Sequence, residues 1–236
     1  MLGFLTGQKI AYDSIPYENI RAFSAESAGD WDRDSELKIY TKNRWNFGKV
    51  EFDFRKGKAD IFAIQKFLSA IVMGSHQDAE RFFENPYPFG TKPNPGSVKG
   101  FLAWLGDYSE AEDPNLFNTQ LHSDPPILMD VERVNRAFKQ GRDIFLYTTH
   151  RVLFIDVKGL SGKKVSYKSY PIKWVKGFAI ETCGNLDWDA ELYLYYDIPS
   201  SKETEQSILV KNFDIMEMHD YWTKYLLFPT DTAQLY

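Results

Sequence analysis

The chain has 236 residues, 43% of them apolar and 16% aromatic, enough to fill the cores of one large domain or two ordinary ones, which excludes wholesale disorder. A single cysteine, Cys183, excludes an intramolecular disulfide framework, and no apolar run approaches the roughly 20 residues of a spanning helix. The net charge of −5 resides in residues 75–126, where three basic residues face eight acidic ones, while residues 1–74 stand at 11 against 10 and 127–229 at 14 against 14; no nucleic-acid surface is expected from such balanced flanks.

The opening Met1–Gly7 has no basic region and too short an apolar stretch for a signal peptide, so a soluble, cytoplasmic protein is the expectation. From Gly7 onward the chain carries one half of an internal repeat. Residues 7–40 align with 162–195 at a constant offset of 155, with thirteen of 34 positions identical. These run from Gly7, Lys9, Tyr12, Ser14 and Pro16 through Phe23, Glu26 and Gly29 to Asp32, Asp34, Glu36, Leu37 and Tyr40. A helix follows at Asp60, with Ile61, Ile64, Leu68 and Ile71 at helical spacing and Asp60 placed to cap the first turn.

Residues 75–126 read as an acidic linker, because Asn85–Gly96 holds too many prolines for a helix interior or a central strand. Its aromatic residues are too many for a free tether, and Phe101–Leu105 is expected to dock on a neighbouring module.

The second copy, residues 127–229, reads as seven strands and a terminal helix, followed by a tail at 230–236. Expected strands are Asp130–Ala137, Ile144–Thr148, Val152–Val157, Lys163–Tyr167, Val175–Glu181, Ala190–Tyr196 and Ser207–Lys211, with a turn at Thr149–Arg151. The helix begins at Asp214, with Ile215, Met218, Trp222 and Tyr225 on one stripe and Glu217 placed to close a capping box. Short strands with frequent turns indicate a sandwich or barrel, and one amphipathic helix can cover its open side.

The run Gly141–Asp156, the continuation Gly159–Pro171 and the stretch from Glu181 through Gly184 to Leu192 resemble bacterial pleckstrin-homology-like domains. The resemblance covers nearly all of 128–226 and, in the first copy, 4–72. It implies a duplicated, mainly β fold, a partly open β-sandwich or barrel capped by one α-helix, and a role in binding and assembly rather than catalysis. The first copy begins at the equivalent of the fourth strand, so residues 1–74 form an incomplete module. A half-sandwich would leave Phe23, Leu37, Tyr40 and the helix stripe facing water. Truncation from a longer protein is the favoured explanation; coverage by the middle segment or a second chain is the other.

The acidic trios Asp32/Asp34/Glu36 and Asp187/Asp189/Glu191 lack the following glycine of a calcium loop, so turn acids meeting backbone N–H groups or nearby Lys and Arg are expected, and no metal. Catalysis and cofactors are not expected either: His76, His122, His150 and His219 are scattered, and Gly159–Lys164 is too short for a phosphate loop. In lipid-binding relatives of the resembled family the first hairpin carries a lysine and a basic pair; here Lys139 and Arg142 remain, the pair is broken by Asp143-Ile144, and Lys163 and Lys164 on the next hairpin can share the mouth. Two functions follow as expectations: assembly with a protein partner or a second copy through an exposed sheet edge, and, as the alternative, weak binding of anionic lipid head groups through Lys139, Arg142, Lys163 and Lys164.

Overall fold

Runs such as Ile144-Phe-Leu-Tyr and Val152-Leu-Phe-Ile place bulky apolar groups on alternate sides of a strand, so both faces must be buried. The computed structural model meets that demand by covering one face of the second copy's opening strands with the helix of the first copy and the other face with the second copy's own closing strands and helix. It describes residues 14–28, 34–42, 48–55, 59–74, 79–80, 113–123, 126–140, 142–158, 164–182, 189–197, 204–209 and 215–227.

The first copy contributes β1 (Ile20–Glu26), β2 (Asp34–Thr41), β3 (Lys49–Arg55) and helix α1 (Ile61–Met73). Helix α2 (Pro114–Ser123) follows. The second copy contributes β4 (Val134–Gln140), β5 (Asp143–Thr148), β6 (Arg151–Lys158), β7 (Lys164–Pro171), β8 (Val175–Glu181), β9 (Asp189–Tyr196), β10 (Thr204–Leu209) and helix α3 (Ile215–Leu227). Its seven strands and helix are those expected, with the opening strand four residues later than Asp130 and β7 extended to Pro171.

The repeat recurs element by element. A 3-10 turn at Tyr17–Asn19 answers one at Ile172–Trp174, and β1, β2 and β3 answer β8, β9 and β10 at the offset of 155. Even the bulge is copied, between Ile20 and Ala22 in one sheet and between Val175 and Gly177 in the other. Gly48, at φ 77°, takes the left-handed conformation that turns the chain into β3. Asp60 caps α1 as its position implies, its Oδ1 accepting from Ala63 N at 3.1 Å. Glu217 Oε1 accepts from Arg136 Nη2 on the neighbouring β4 at 3.1 Å. Asp214 lies outside the described residues.

Two antiparallel sheets result. The larger has seven strands in the order β3-β2-β1-β7-β6-β5-β4, the smaller three in the order β10-β9-β8, and neither closes into a barrel among the described residues. One face of the β4–β7 region, with Tyr147, Val152 and Phe154, packs against the small sheet and α3 through Leu192, Leu194 and Trp222. The other face, with Ile144, Leu146, Ile155 and Tyr167, packs against α1 and the segment from Phe117 to Met129.

The exposed half-sandwich is thereby resolved. Phe23 and Leu37 are buried with α1 in a core that the second copy and the middle segment complete. The middle segment is therefore more than a linker. Phe117, Leu121, Ile127 and Leu128 have no solvent exposure, and Asn118 Oδ1 accepts from Val134 N at 2.8 Å, so α2 also occupies the start of β4. Phe101–Leu105 lies outside the described residues.

Candidate functional site

The junction of the two copies is where strand pairing, charge and burial converge. Residues opposite one another on antiparallel strands share a face. On β1 and β7 the pairs are Phe23 with Ser169, Ser24 with Lys168, Ala25 with Tyr167 and Glu26 with Ser166. All seven residues of β1 are buried. Beyond the strand, Ser27 N donates to Val165 O at 2.9 Å and Val165 N donates to Ser27 Oγ at 3.1 Å, which lengthens the ladder.

Charge locks this register on the side away from α1. Glu26, with only 7% of its side chain exposed, meets Lys158 Nζ at 2.7 Å and Lys164 Nζ at 2.6 Å. Burial alone would push the Glu26 carboxyl up, but hydrogen bonds and attraction from the two ammonium groups outweigh it and hold the carboxyl below the usual range. Ion pairs continue outward on both flanks, Lys168 to Asp156 at 3.3 Å and Lys38 to Glu36 at 2.7 Å. Near the far end of β1 the Arg21 guanidinium lies 3.7 Å from the Trp174 ring centroid and reaches Asp197 at 3.5 Å. Lys173 Nζ donates to Val72 O at the end of α1, at 2.5 Å.

The face toward α1 holds a buried polar hub. Arg151 Nε and Nη2 donate to the two carboxylate oxygens of Glu132 at 2.9 and 3.1 Å. Nη1 donates to Ser69 Oγ at 2.7 Å and Ser169 Oγ at 2.9 Å, and Nη2 also reaches Ile127 O at 2.6 Å. All five guanidinium N–H groups are thus used. Glu132 further accepts from Thr148 Oγ1 at 2.7 Å and Met129 N at 3.1 Å, while Gln65 Nε2 donates to Ser169 Oγ at 2.8 Å. One guanidinium therefore ties helix α1, the segment after α2 and the second copy together. Sequence reading placed Arg151 in a turn and passed over Glu132. The available signal was Gln65 and Ser69, four apart on the buried face of α1, where apolar residues belong.

Of the basic residues expected to form a lipid mouth, the three described ones lie apart. Lys139 lies on β4 opposite Ile144, a residue of the face toward α1, and Arg142 is exposed at the β4–β5 turn. Lys164 lies on the opposite face, paired with Glu26, and three strand spacings separate β4 from β7, about 14 Å. Lys163 lies outside the described residues. What the fold gathers instead is Lys158, Lys164 and Lys168, each in contact with an acid.

Of the acidic trios, Asp32 and Asp187 lie outside the described residues, and the rest begin β2 and β9. The carboxylates of Glu36, Glu51 and Asp53 come within 4.8 Å of one another, but Lys38 is 2.7 Å from Glu36 and Lys49 is 2.7 Å from Glu51. Burial and the nearby Glu51 push the Glu36 carboxyl up, and the hydrogen bond from Glu36 helps bring Glu51 down to about 2. Lys38 and Lys49 supply the positive charge beside these carboxylates. No helix among the described residues is long and apolar enough to cross a membrane.

Strand edges complete the site. In the described residues β3 and β4 end the large sheet, and β8 and β10 end the small one. β3 alternates Lys49, Glu51, Asp53 and Arg55 with Val50, Phe52 and Phe54, and charges of that kind protect an edge against indiscriminate pairing.

Several known proteins are similar to this chain. The uncharacterised protein YjqA of Bacillus subtilis is 39% identical over 69 residues, which are 29% of this chain and 55% of YjqA, so the chain spans about half the length of that relative. The uncharacterised YozO of the same organism is 31% identical over 100 residues, 42% of this chain and 83% of YozO. The pleckstrin homology domain from Shewanella amazonensis is 34% identical, with 54% of this chain and 98% of that one covered and a TM-score of 0.41. The model of the bacterial PH domain family matches residues 3–72 and again 103–225, the second stretch beginning ahead of α2. With most of its length matched in two stretches, the chain belongs to the bacterial PH domain family.

Proposed function

We propose that the chain is a non-catalytic interaction and assembly module whose working surface is the sheet edge, with residues 1–74 and 127–229 as its two PH-like units. The observation that supports this reading is the β1–β7 pairing: one copy extends the other's sheet strand to strand, with a buried glutamate held by two lysines. Edge addition supplies backbone hydrogen bonds for affinity and leaves specificity to side chains on the two faces. A chain that already joins its own halves this way has the surfaces to join another.

The competing reading is weak binding to anionic lipid through Lys139, Arg142, Lys163 and Lys164, favoured by the exposure of Arg142. Light scattering on the full chain across a range of concentrations, paired with co-sedimentation on phosphatidylserine vesicles at low and high salt, separates the two. Assembly predicts a mass that rises above 27.4 kDa with concentration and no salt-sensitive vesicle binding. A constant monomer that sediments with vesicles at low salt would overturn it.

A further inference from the structure

His122, in the last turn of α2, takes no part in the Arg151 hub but touches the segment that builds it. Its Nδ1 lies 2.6 Å from Asn118 O, one turn back on the helix, and its Nε2 lies 3.0 Å from Met129 O on the segment that follows. Arg133 Nη1 stands 3.3 Å from the same Nε2, and it already donates to Asp130 O at 2.6 Å and Glu132 O at 2.7 Å.

Both ring nitrogens face carbonyl oxygens, and a carbonyl only accepts. A neutral imidazole has one N–H and one lone pair, so either neutral tautomer sets a lone pair against Asn118 O or Met129 O. Only the imidazolium, a donor at both nitrogens, satisfies the two. Histidine gains and loses its proton between about pH 5 and 8. Asn118 O belongs to the same helix and moves with the ring, whereas Met129 O belongs to a separate segment and can part from it. Arg133 opposes the charge on the ring and can donate to Nε2 once the proton has left. Among the described residues the other charged groups on this side are Asp130, whose carboxylate meets Lys66 of α1 at 2.9 Å, and Glu132, held by Arg151 of β6. Asp124 lies outside the described residues.

We propose that His122 is a proton-operated latch between α2 and the segment 127–132. With both nitrogens protonated, the ring bridges Asn118 O and Met129 O. When the Nε2 proton leaves to solvent, Met129 O is released, Nδ1–H stays on Asn118 O, and Nε2 accepts from Arg133 Nη1. The released segment is the one that gives the hub Ile127 O and the Glu132 carboxylate, with Met129 N donating to the latter. Through Arg151 the proton bears on Ser69, the hub's contact from the first copy. The charged form belongs to the latched state, so the latch is closed at low pH and opens as pH rises through the histidine transition.

Nitrogen NMR of the full chain, isotope-labelled at its four histidines, follows the ring, and His122→Gln identifies its signals. The ring should pass from protonation at both nitrogens to the Nδ1–H tautomer as the pH rises. Over the same interval, hydrogen exchange of the Ile127 and Leu128 amides, which donate to Leu121 O at 3.0 and 3.2 Å, should quicken by roughly ten-fold beyond its intrinsic pH dependence. Arg133→Met removes the opposing cation and moves both changes to higher pH. His122→Gln, which does not titrate, loses the step in exchange. A neutral ring that keeps its proton on Nε2 overturns the latch, and so does wild-type exchange that runs as in His122→Gln across the transition. Should His122→Gln fail to fold, the ring whose transition moves in Arg133→Met is His122, and an Arg133→Met chain in which no ring moves overturns the proposal as well.

Discussion

Arg151 and Glu132 form a bidentate ion pair, Nε to Oε1 at 2.9 Å and Nη2 to Oε2 at 3.1 Å, with neither side chain exposed to solvent. A pair at this depth survives because every remaining donor and acceptor is satisfied, by Ser69, Ser169, Ile127, Thr148 and Met129. Ser69 belongs to one copy and the rest to the other copy and the segment that joins it. The packing of α1 against the second copy is consequently tied to a buried charge, and removing one partner affects both.

Arg151→Met leaves the Glu132 carboxylate buried and unpaired, and the expected loss is about 3–5 kcal/mol of unfolding free energy. Arg151→Met with Glu132→Leu, which removes both charges, is expected to lose less than either single change. Urea unfolding of the three variants and wild type measures this, and an additive double variant would mean that the two residues act separately.

Glu26 makes the junction sensitive to acid. Its carboxyl sits below the usual range in the folded chain, so its contribution is present above the unfolded value near 4.5 and is lost as the pH falls through the folded one. Glu26→Gln should lower stability by about 1–3 kcal/mol at neutral pH and flatten the acid limb. The check is a series of urea midpoints from neutral pH downward for both proteins.

Arg21→Ala takes the guanidinium off Trp174 and away from Asp197, with an expected cost of about 1–2 kcal/mol. Arg21→Lys should fall between the two, since an ammonium lacks the planar stacking surface. Urea unfolding followed by tryptophan fluorescence reports the order of the three.

Burial raises the phenols of Tyr147 and Tyr170, so both remain neutral where ordinary tyrosines ionise. Their contribution is complete below the unfolded value of about 10 and is lost only as the pH rises toward the higher folded values. An ultraviolet titration of the folded chain should leave at least two of the fourteen tyrosines unionised until it unfolds, and ionisation of all fourteen with the fold intact would contradict this packing.

Much of the fold was legible because it is local. The offset of 155, slipping by one at the helix, predicted which strand, turn and helix of one copy matches which of the other, and the shared bulge and 3-10 turns follow from the same residues in the same order. The helix stripes were readable from their period, and Ile215, Met218 and Trp222 are buried as that period requires. The runs Ile144–Tyr147 and Val152–Ile155 also indicated burial on two faces, although one sandwich accounts for only one of them. Helix α2 was harder to see. Pro114 and the polar Asn115, Asn118 and Gln120 look like linker, and only Phe117 and Leu121, four apart, mark its buried side.

The sequence by itself determined two copies of one module and the identity of their elements. Tertiary structure alone decided how the two copies meet: β1 lies on β7, α1 covers the back of the β4–β7 sheet, and Arg151 reaches across to Ser69. The reason is physical. Periodicity records which side of an element must leave water, but backbone edges of different strands offer the same N–H and C=O groups. The choice among them rests on buried contacts far apart in the chain: Glu26 with Lys158 and Lys164, and two apolar faces that must close over each other.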